Sequence, residues 1–161
     1  MDSEIYKFSL GVSANEHVHF KGFVSRQELK NYYLESSVFV VSSLWPEPFG
    51  LTGPEAMRYG LPVVAFDAGG IGEWLIDGEN GFLVPWMDTE KYAQRIEELL
   101  RNKELARRMG QRGLELVNEN YDSNRQIDRL ETLFRELIRS KPLYRTGGNK
   151  ATKVLVEEFC E

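Results

Sequence analysis

Short apolar runs rich in β-branched residues alternate along this chain with segments of helical pattern. The run Ser37–Ser43 (SVFVVSS) is continuously apolar at its centre, and Leu61–Phe66 (LPVVAF) is a second run of the same kind. Such continuous runs are typical of strands buried on both faces of a parallel sheet. Their alternation with helices predicts an α/β fold in which helices flank a parallel sheet.

Further segments extend this alternation in both directions along the chain. Val18–Phe23 and Phe82–Pro85 are predicted strands. Asp77–Gly81 is a strong turn signal just before the strand at Phe82–Pro85. Ser25 and Glu28 have the spacing of a capping box, and Asp88 can cap a later helix. The predicted helices are Ser25–Glu35, Leu51–Tyr59, Ile71–Ile76, one after Asp88, Lys103–Asn120 and Ser123–Ile138. The second of them has Pro54 in its first turn and is closed by Gly60. The helix after Asp88 has Tyr92, Ile96, Leu99 and Leu100 on one face.

The length of 161 residues fits one domain, which we place at residues 1–140. Hydrophobic residues make up 42% and charged residues 28% of the chain, values typical of a folded, soluble domain. Residues 141–161 form a polar, loop-like segment with one short apolar piece, Val154–Val156. We expect this segment to be a mobile tail, or to dock on something outside the chain.

Several signals bear on where the protein works. No apolar run approaches the ~20 residues that a membrane-spanning helix needs, and the N-terminus lacks the pattern of a secretory signal. Cys160 is the single cysteine, so an internal disulfide is impossible. These features predict a cytoplasmic protein without a transmembrane segment.

The net charge of −5 argues against a general nucleic-acid-binding role, because such proteins usually carry a basic face. An anionic ligand must then be bound locally, and backbone amides at a helix start are the natural candidate. The chain contains neither a Gly-x-Gly-x-x-Gly fingerprint nor a Walker loop, which argues against a dehydrogenase or an NTPase.

The most informative segment is Ser43–Gly60 (SLWPEPFGLTGPEAMRYG), in which Glu47 and Glu55 stand eight residues apart. Glu47 follows a predicted buried strand, so it should lie at the carboxyl edge of the sheet, where ligands usually bind. Glu55, in the first helical turn, could accept hydrogen bonds from ribose hydroxyls, and Glu47 could reach a sugar. Gly50 would let the backbone approach a ligand closely, and the amides from Gly50 to Thr52 would face a phosphate.

Each piece of this segment also has a structural explanation. A glutamate in a first helical turn usually complements the helix dipole. Glu47 could be a solvated loop residue, and Gly50 could serve only the turn. The combination between two predicted buried strands is more specific than its parts.

The segment resembles the signature of the family 4 (group 1) retaining glycosyltransferases. The resemblance extends from about Val18 to about Asn120. The motifs that carry it are Val18–Val24, Leu29 with Tyr32 and Tyr33, Glu47 with Phe49-Gly50-Leu51, Glu55-Ala56-Met57 with Gly60, Pro62–Ala65, Gly69–Glu73 and Asp77–Val84.

The resemblance implies a Rossmann-like domain, the C-terminal half of the two-domain GT-B fold, whose ligand is a UDP-, GDP- or ADP-sugar. It implies that Glu47 contacts the donor sugar at the reacting carbon and that Glu55 binds the ribose. It also implies donor contacts from Pro48, amides directed at the sugar and diphosphate from Phe49, Gly50, Leu51 and Thr52, and a position beside the base for Phe23 and Val24.

The resemblance further implies transfer of a hexose with retention of anomeric configuration and without a bound metal or cofactor. No Asp-x-Asp motif occurs in the chain, as expected for such a mechanism. Family members also have an N-terminal acceptor domain, a first strand and an Arg/Lys clamp that this sequence lacks. The chain is therefore expected to be incomplete alone, and the full enzyme could be peripheral to a membrane.

Other interpretations remain open at this point. The chain could be a non-catalytic nucleotide-binding or assembly module, forming a homo-oligomer through the sheet edge left bare by the absent strand. His17 and His19 could share one strand face as a metal pair, although no third ligand is near. Trp45 could form an aromatic platform for a sugar or base, whereas Trp74 and Trp86 more often pack.

Overall fold

A computed structural model of the chain describes residues 17–139. The chain divides into two compact units, one up to Asn120 and one from Tyr121. The first unit contains strands β1 (Phe39–Val41), β2 (Val63–Phe66) and β3 (Gly81–Val84), and helices α1 (Arg26–Glu35), α2 (Thr52–Met57), α3 (Thr89–Arg101) and α4 (Lys103–Asn120). The described part of the second unit is helix α5 (Ser123–Arg139).

The three strands form a parallel sheet in the order β1-β2-β3. Phe39 pairs with Val63, and Val63 pairs in turn with Gly81. All four residues of β2 are buried, as its apolar sequence predicts. The predicted α/β fold with a parallel sheet is therefore confirmed.

Strand β1 is shorter and more exposed than its sequence predicts. Only Phe39–Val41 of the apolar run is a strand, and the side chain of Val40 is 44% exposed. The prediction that this strand is buried on both faces was wrong. β1 is an end strand of the described sheet, so one of its flanks lacks the neighbouring side chains that would cover it.

The core lies between the sheet and helices α3 and α4. The rings of Phe66 and Tyr92 have centroids 4.4 Å apart, and the Tyr92 hydroxyl donates to the carbonyl oxygen of Val64 at 3.1 Å. Leu99 is buried in the same cluster, whereas Leu100 is exposed. The predicted apolar face was therefore wrong at Leu100, because consecutive residues of a helix point about 100° apart around its axis.

Asn80 is the one fully buried polar side chain in the core described for residues 17–139. Its side-chain oxygen accepts from the amide of Ile76 at 2.8 Å, and its side-chain nitrogen donates to the carbonyl of Trp74 at 2.8 Å. These bonds fix the turn that leads into β3. The next residue, Gly81, faces the carbonyl oxygen of Val63 so closely that a β-carbon would lie 2.0 Å from it.

The start of α1 agrees with the sequence, but the segment before it does not. The Ser25 side chain accepts from the amide of Glu28, whose carboxylate accepts from the Ser25 amide at 3.0 Å, which is the predicted capping box. Val18–Phe23, predicted to be a strand, pairs with no strand of the described sheet. Extended segments need a hydrogen-bonded neighbour to form a stable strand.

Helix α5 is strongly amphipathic when considered by itself. None of its residues is buried. Its exposed apolar side chains are Ile127, Leu130, Leu133, Phe134, Leu137 and Ile138. The predicted tail at 141–161 and its boundary at residue 140 lie outside the described residues. None of the helices within residues 17–139 is long and apolar enough to cross a membrane.

Candidate functional site

The loop between β1 and α2 contains Glu47, and its backbone is joined to the loop that follows β2. Glu47 forms an isolated parallel bridge with Gly69, and the amide of Gly70 donates to the carbonyl oxygen of Glu47 at 2.7 Å. Both loops leave the carboxyl ends of neighbouring parallel strands. The bridge therefore fixes Glu47 at the edge of the sheet where α/β proteins bind ligands.

Two glycines make this approach possible. A β-carbon on Gly69 would lie 2.4 Å from the carbonyl oxygen of Glu47, and one on Gly70 would lie 2.2 Å from that of Pro48. Gly69 also has a φ of +70°, which disfavours other residues. The sequence alone did not predict this contact, although a glycine pair two residues after an apolar strand is a signal for close backbone packing.

The side chain of Glu47 is oriented by a hydrogen bond within its own loop. The hydroxyl of Ser43 donates to the Oε1 atom of Glu47 at 2.8 Å, in a partly buried setting. One carboxylate oxygen of Glu47 is thereby held by Ser43. The loop thus presents a carboxylate of defined orientation.

Trp74 packs against the loop between β1 and α2. Its ring is fully buried, and its indole nitrogen donates to the carbonyl oxygen of Phe49. A β-carbon on Gly53 would lie 2.0 Å from this ring, so the start of α2 packs directly on it. Packing was the role that the sequence favoured for Trp74, and it is confirmed. The helix predicted at Ile71–Ile76 is a shorter 3₁₀ helix, Gly70–Glu73.

Gly50 faces the protein interior. It has a φ of +74°, and a β-carbon there would lie 2.6 Å from the Cδ1 atom of Ile71. The turn and this packing are sufficient reasons for a glycine at this position. Its predicted close approach to a ligand stays a prediction.

A second tryptophan contacts the same loop from β3. The indole nitrogen of Trp86, which follows β3, donates to the carbonyl oxygen of Leu44 at 3.2 Å. Trp86 remains half-exposed, so it is less buried than a packed core residue. Trp45, the residue after Leu44, is 76% exposed, and its predicted role as an aromatic platform stays a prediction.

Helix α2 places Glu55 in its first turn, and the start of this helix is exposed on one side and packs on Trp74 through Gly53 on the other. Leu51 and Thr52 are exposed, whereas Pro54 is buried in the first turn, where proline is tolerated. The helix is six residues long and is closed by Gly60, whose amide donates to Met57 at 2.9 Å and whose φ is +72°. Glu55 is exposed and accessible to a ligand.

A buried tyrosine of α1, Tyr33, lies close to Glu55. Burial of its hydroxyl, together with the negative charge of Glu55, raises the pKa of Tyr33 to about 12. Tyr33 is therefore neutral at physiological pH.

The remaining candidates lie before α1. The side chain of Phe23 is 100% exposed and packs on nothing within residues 17–139, whereas Val24 is half-buried beside the Ser25 cap. His17 and His19 are both exposed. Within the described part of the chain, no group of three or more His, Cys, Asp or Glu side chains is placed to hold a metal.

Residues 2–116 match the family model described as glycosyl transferases group 1. Spore coat protein SA of Bacillus subtilis is 33% identical over 127 residues, which cover 78% of this chain and 34% of that protein. The solved sucrose-phosphate synthase of Thermosynechococcus elongatus is 33% identical with a TM-score of 0.72, covering 86% of this chain and 33% of that one.

HepE of Anabaena, solved in complex with UDP and glucose, is 25% identical with a TM-score of 0.72. That match covers 83% of this chain and 35% of HepE. The chain thus spans about a third of the length of these relatives. Its parallel sheet with flanking helices matches the C-terminal domains of GT-B glycosyltransferases. Since the family match covers most of the chain, the protein belongs to the group 1 glycosyltransferases.

Proposed function

We propose that this chain is the nucleotide-sugar-binding part of a retaining glycosyltransferase. Its donor is a nucleoside diphosphate hexose with uracil, guanine or adenine as the base. Family membership supports this proposal, as does the presence of UDP and glucose in the structure of HepE. A separate acceptor-binding domain would complete the enzyme and exclude water from the reaction.

The observation that carries the proposal is the double fixation of Glu47. Its carbonyl oxygen accepts from Gly70 at 2.7 Å and its carboxylate accepts from Ser43 at 2.8 Å. Together these bonds hold both the backbone and the carboxylate of Glu47 in place, and a group that acts on a substrate must be preorganised. In this proposal the carboxylate of Glu47 faces the donor sugar and stabilises positive charge that develops at the anomeric carbon in the transition state.

The remaining donor contacts follow the order of the chain. Pro48 to Thr52 line the sugar and diphosphate, and Glu55 accepts hydrogen bonds from the ribose hydroxyls. Phe23 and Val24 lie beside the base. Reaction proceeds without a metal, so the protein itself stabilises the leaving diphosphate.

Calorimetric titration of the chain with UDP, GDP and ADP tests the proposal. We expect one of the three to bind, and we expect Glu55→Ala to weaken its binding by about tenfold, because hydrogen bonds to charged groups contribute roughly 1.5–3 kcal/mol. Glu90→Ala is the matched control, because Glu90 is also an exposed glutamate in the first turn of a helix. Failure of all three nucleotides to bind contradicts the proposal.

A further inference from the structure

Four exposed apolar residues form a patch, the tryptophan patch, at the carboxyl edge of the sheet. They are two pairs of consecutive residues, Leu44-Trp45 after β1 and Trp86-Met87 after β3, and each residue leaves more than half of its surface exposed. The hydrogen bond of 3.2 Å from the Trp86 indole nitrogen to the Leu44 carbonyl oxygen joins the two pairs. Single exposed apolar residues are ordinary, whereas grouped ones mark interaction or ligand-binding sites.

The backbone holds Trp86 in its position through a strained turn. The Asp88 amide donates to the Pro85 carbonyl oxygen at 3.0 Å, which closes the turn around Trp86 and Met87. Met87 has a φ of +63° and is the one residue other than glycine with a positive φ within residues 17–139. Such a conformation is uncommon for a bulky side chain, and backbone strain is concentrated at functional sites. Asp88 also caps α3 by accepting from the Lys91 amide at 3.0 Å, so the turn is anchored to a helix.

The tryptophan patch lies next to the carboxylate that the proposed function directs at the donor sugar. Leu44, which accepts from Trp86, directly follows Ser43, whose hydroxyl donates to the Glu47 carboxylate at 2.8 Å. Trp86 therefore contacts the first residues of the loop between β1 and α2. The donor contacts proposed for Pro48–Thr52 belong to the last residues of the same loop. The patch thus flanks Glu47 at the end of the loop that the donor leaves open.

The chemistry and the size of the tryptophan patch both fit a sugar ring. A tryptophan has a large apolar ring and a polar N–H edge. The N–H edge of Trp86 is bonded to Leu44, so its remaining ring surface is apolar. A pyranose has C–H bonds on its faces and hydroxyl groups around its rim, and a face can pack on an indole while the hydroxyls keep their hydrogen bonds. An interface between proteins takes about 20–30 residues a side, whereas this patch has four.

We propose that Trp86 and Trp45 form a stacking site for a pyranose ring of the acceptor, so that the acceptor is a carbohydrate. This inference rests on the proposed function, in which Glu47 and the residues after it hold the donor. The acceptor ring packs on the indoles, and the strained turn at Met87 keeps Trp86 in place before the ring arrives. Preorganisation of this kind reduces the entropy that binding costs.

The experiment follows the indole N–H signals of the isotope-labelled full chain by NMR. The chain has three tryptophans, and Trp45→Phe and Trp86→Phe assign their signals. Trp74 is an internal control, because its ring is fully buried and its N–H is bonded to the Phe49 carbonyl. The probes are the methyl pyranosides of glucose, galactose, mannose and N-acetylglucosamine. Sorbitol is the matched control ligand, because this open-chain polyol has similar hydroxyl groups and no ring face.

We expect at least one pyranoside to shift the Trp86 and Trp45 signals saturably, with a dissociation constant in the millimolar range. The Trp74 signal should stay in place, and sorbitol should shift none of the three. Trp86→Ala should weaken the binding about 3- to 10-fold, as followed at Trp45, because the stacking surface is lost.

Leu100→Ala is the control variant, because Leu100 is exposed to a similar extent. It lies about 18 Å along α3 from Asp88, at 1.5 Å per residue, and its replacement should leave the affinity unchanged. Thermal unfolding of each variant shows that it is folded at the temperature of the titration.

Trp86 and Trp45 signals that no pyranoside shifts, or that sorbitol shifts equally, overturn the inference. Signals that move on dilution of the protein and not on addition of sugar also overturn it, because a second copy of the chain then covers the patch. In both cases binding of UDP, GDP or ADP by the unaltered chain still supports the proposed function. If none of these nucleotides binds, the proposed function fails and the acceptor role fails with it, whereas a pyranoside that still shifts Trp86 supports the carbohydrate site by itself.

Discussion

The amide nitrogen of Gly70 lies 2.7 Å from the carbonyl oxygen of Glu47, although 22 residues separate them in the chain. This hydrogen bond unites the loops that follow β1 and β2 into one surface. The position of the Glu47 carboxylate therefore depends on a glycine pair that follows a different strand.

Replacement of Gly69 by alanine is expected to destabilise the protein and to disturb the donor site. The new β-carbon would lie 2.4 Å from the carbonyl of Glu47, at a residue whose φ is +70°. We expect a loss of about 2–4 kcal/mol in the free energy of unfolding, measured in urea. Gly72→Ala is the control, since its nearest neighbour would be a leucine methyl at 3.9 Å. Equal stability of the two variants contradicts the prediction.

Replacement of Trp74 by phenylalanine should weaken the support beneath the loop. The change leaves the carbonyl of Phe49 without its indole donor and opens space against Gly53. We expect a loss of about 2–3 kcal/mol, measured by thermal or urea unfolding. The exposed Trp45, changed to phenylalanine, should alter stability by less than about 0.5 kcal/mol. A similarly small loss at Trp74 would show that its bond to Phe49 is dispensable.

Replacement of Ser43 by alanine removes the hydroxyl that orients Glu47. If Glu47 contacts the sugar, the variant should bind the nucleoside diphosphate sugar about 3- to 10-fold more weakly and bind the corresponding nucleoside diphosphate unchanged. Parallel calorimetric titrations with UDP-glucose and UDP measure this difference. Ser36→Ala is the control, because that hydroxyl donates to the Tyr32 carbonyl at the end of α1. Equal losses for both ligands would place Glu47 away from the sugar.

The stability of the protein should fall in strongly alkaline solution. Burial raises the pKa of Tyr92 from 10.0 to about 12, and Tyr33 shifts similarly. Below pH 10 each of these tyrosines is neutral in both the folded and the unfolded chain, so its contribution to the free energy of unfolding is fully present. Between about pH 10 and 12 the unfolded chain loses the proton while the folded chain retains it, so the free energy of unfolding falls as the pH rises.

Urea unfolding at pH 9 and pH 11.5 measures this loss, which we expect to be about 1–2 kcal/mol for each buried tyrosine. Tyr92→Phe should lose less stability than the unaltered chain over this interval. The exposed Tyr32, changed to phenylalanine, should leave the pH dependence as it is. If the free energy of unfolding depends on pH equally in the unaltered chain and in both variants, the raised pKa of Tyr92 is not its cause.

Local patterns predict most of the regular structure because the determining contacts are close in sequence. The Ser25–Glu28 capping box and the Asp88 cap each involve residues three apart, and both occur as predicted. The burial of β2 follows from its apolar composition. Val18–Phe23 and β1 were less predictable, because strand formation and burial depend on neighbours that the local sequence does not specify.

The candidate site shows the same limit. The positions of Glu47 and Glu55 relative to β1 and α2 follow from the sequence, because strand, loop and helix succeed one another there. The contact of Gly69 with Glu47 brings together segments 22 residues apart, and no periodicity in the sequence encodes such a pair. This contact exists only once the sheet has assembled.

Asn80 and Gly81 form a dipeptide that in flexible chains is chemically fragile, because the glycine nitrogen can attack the asparagine side chain and release ammonia. Here the side-chain amide is enclosed and is hydrogen-bonded to Ile76 and Trp74. It cannot turn toward the attacking nitrogen while the turn is intact. Deamidation at this position therefore records the time that a molecule has spent unfolded, and its extent in an aged sample is a chemical measure of that history.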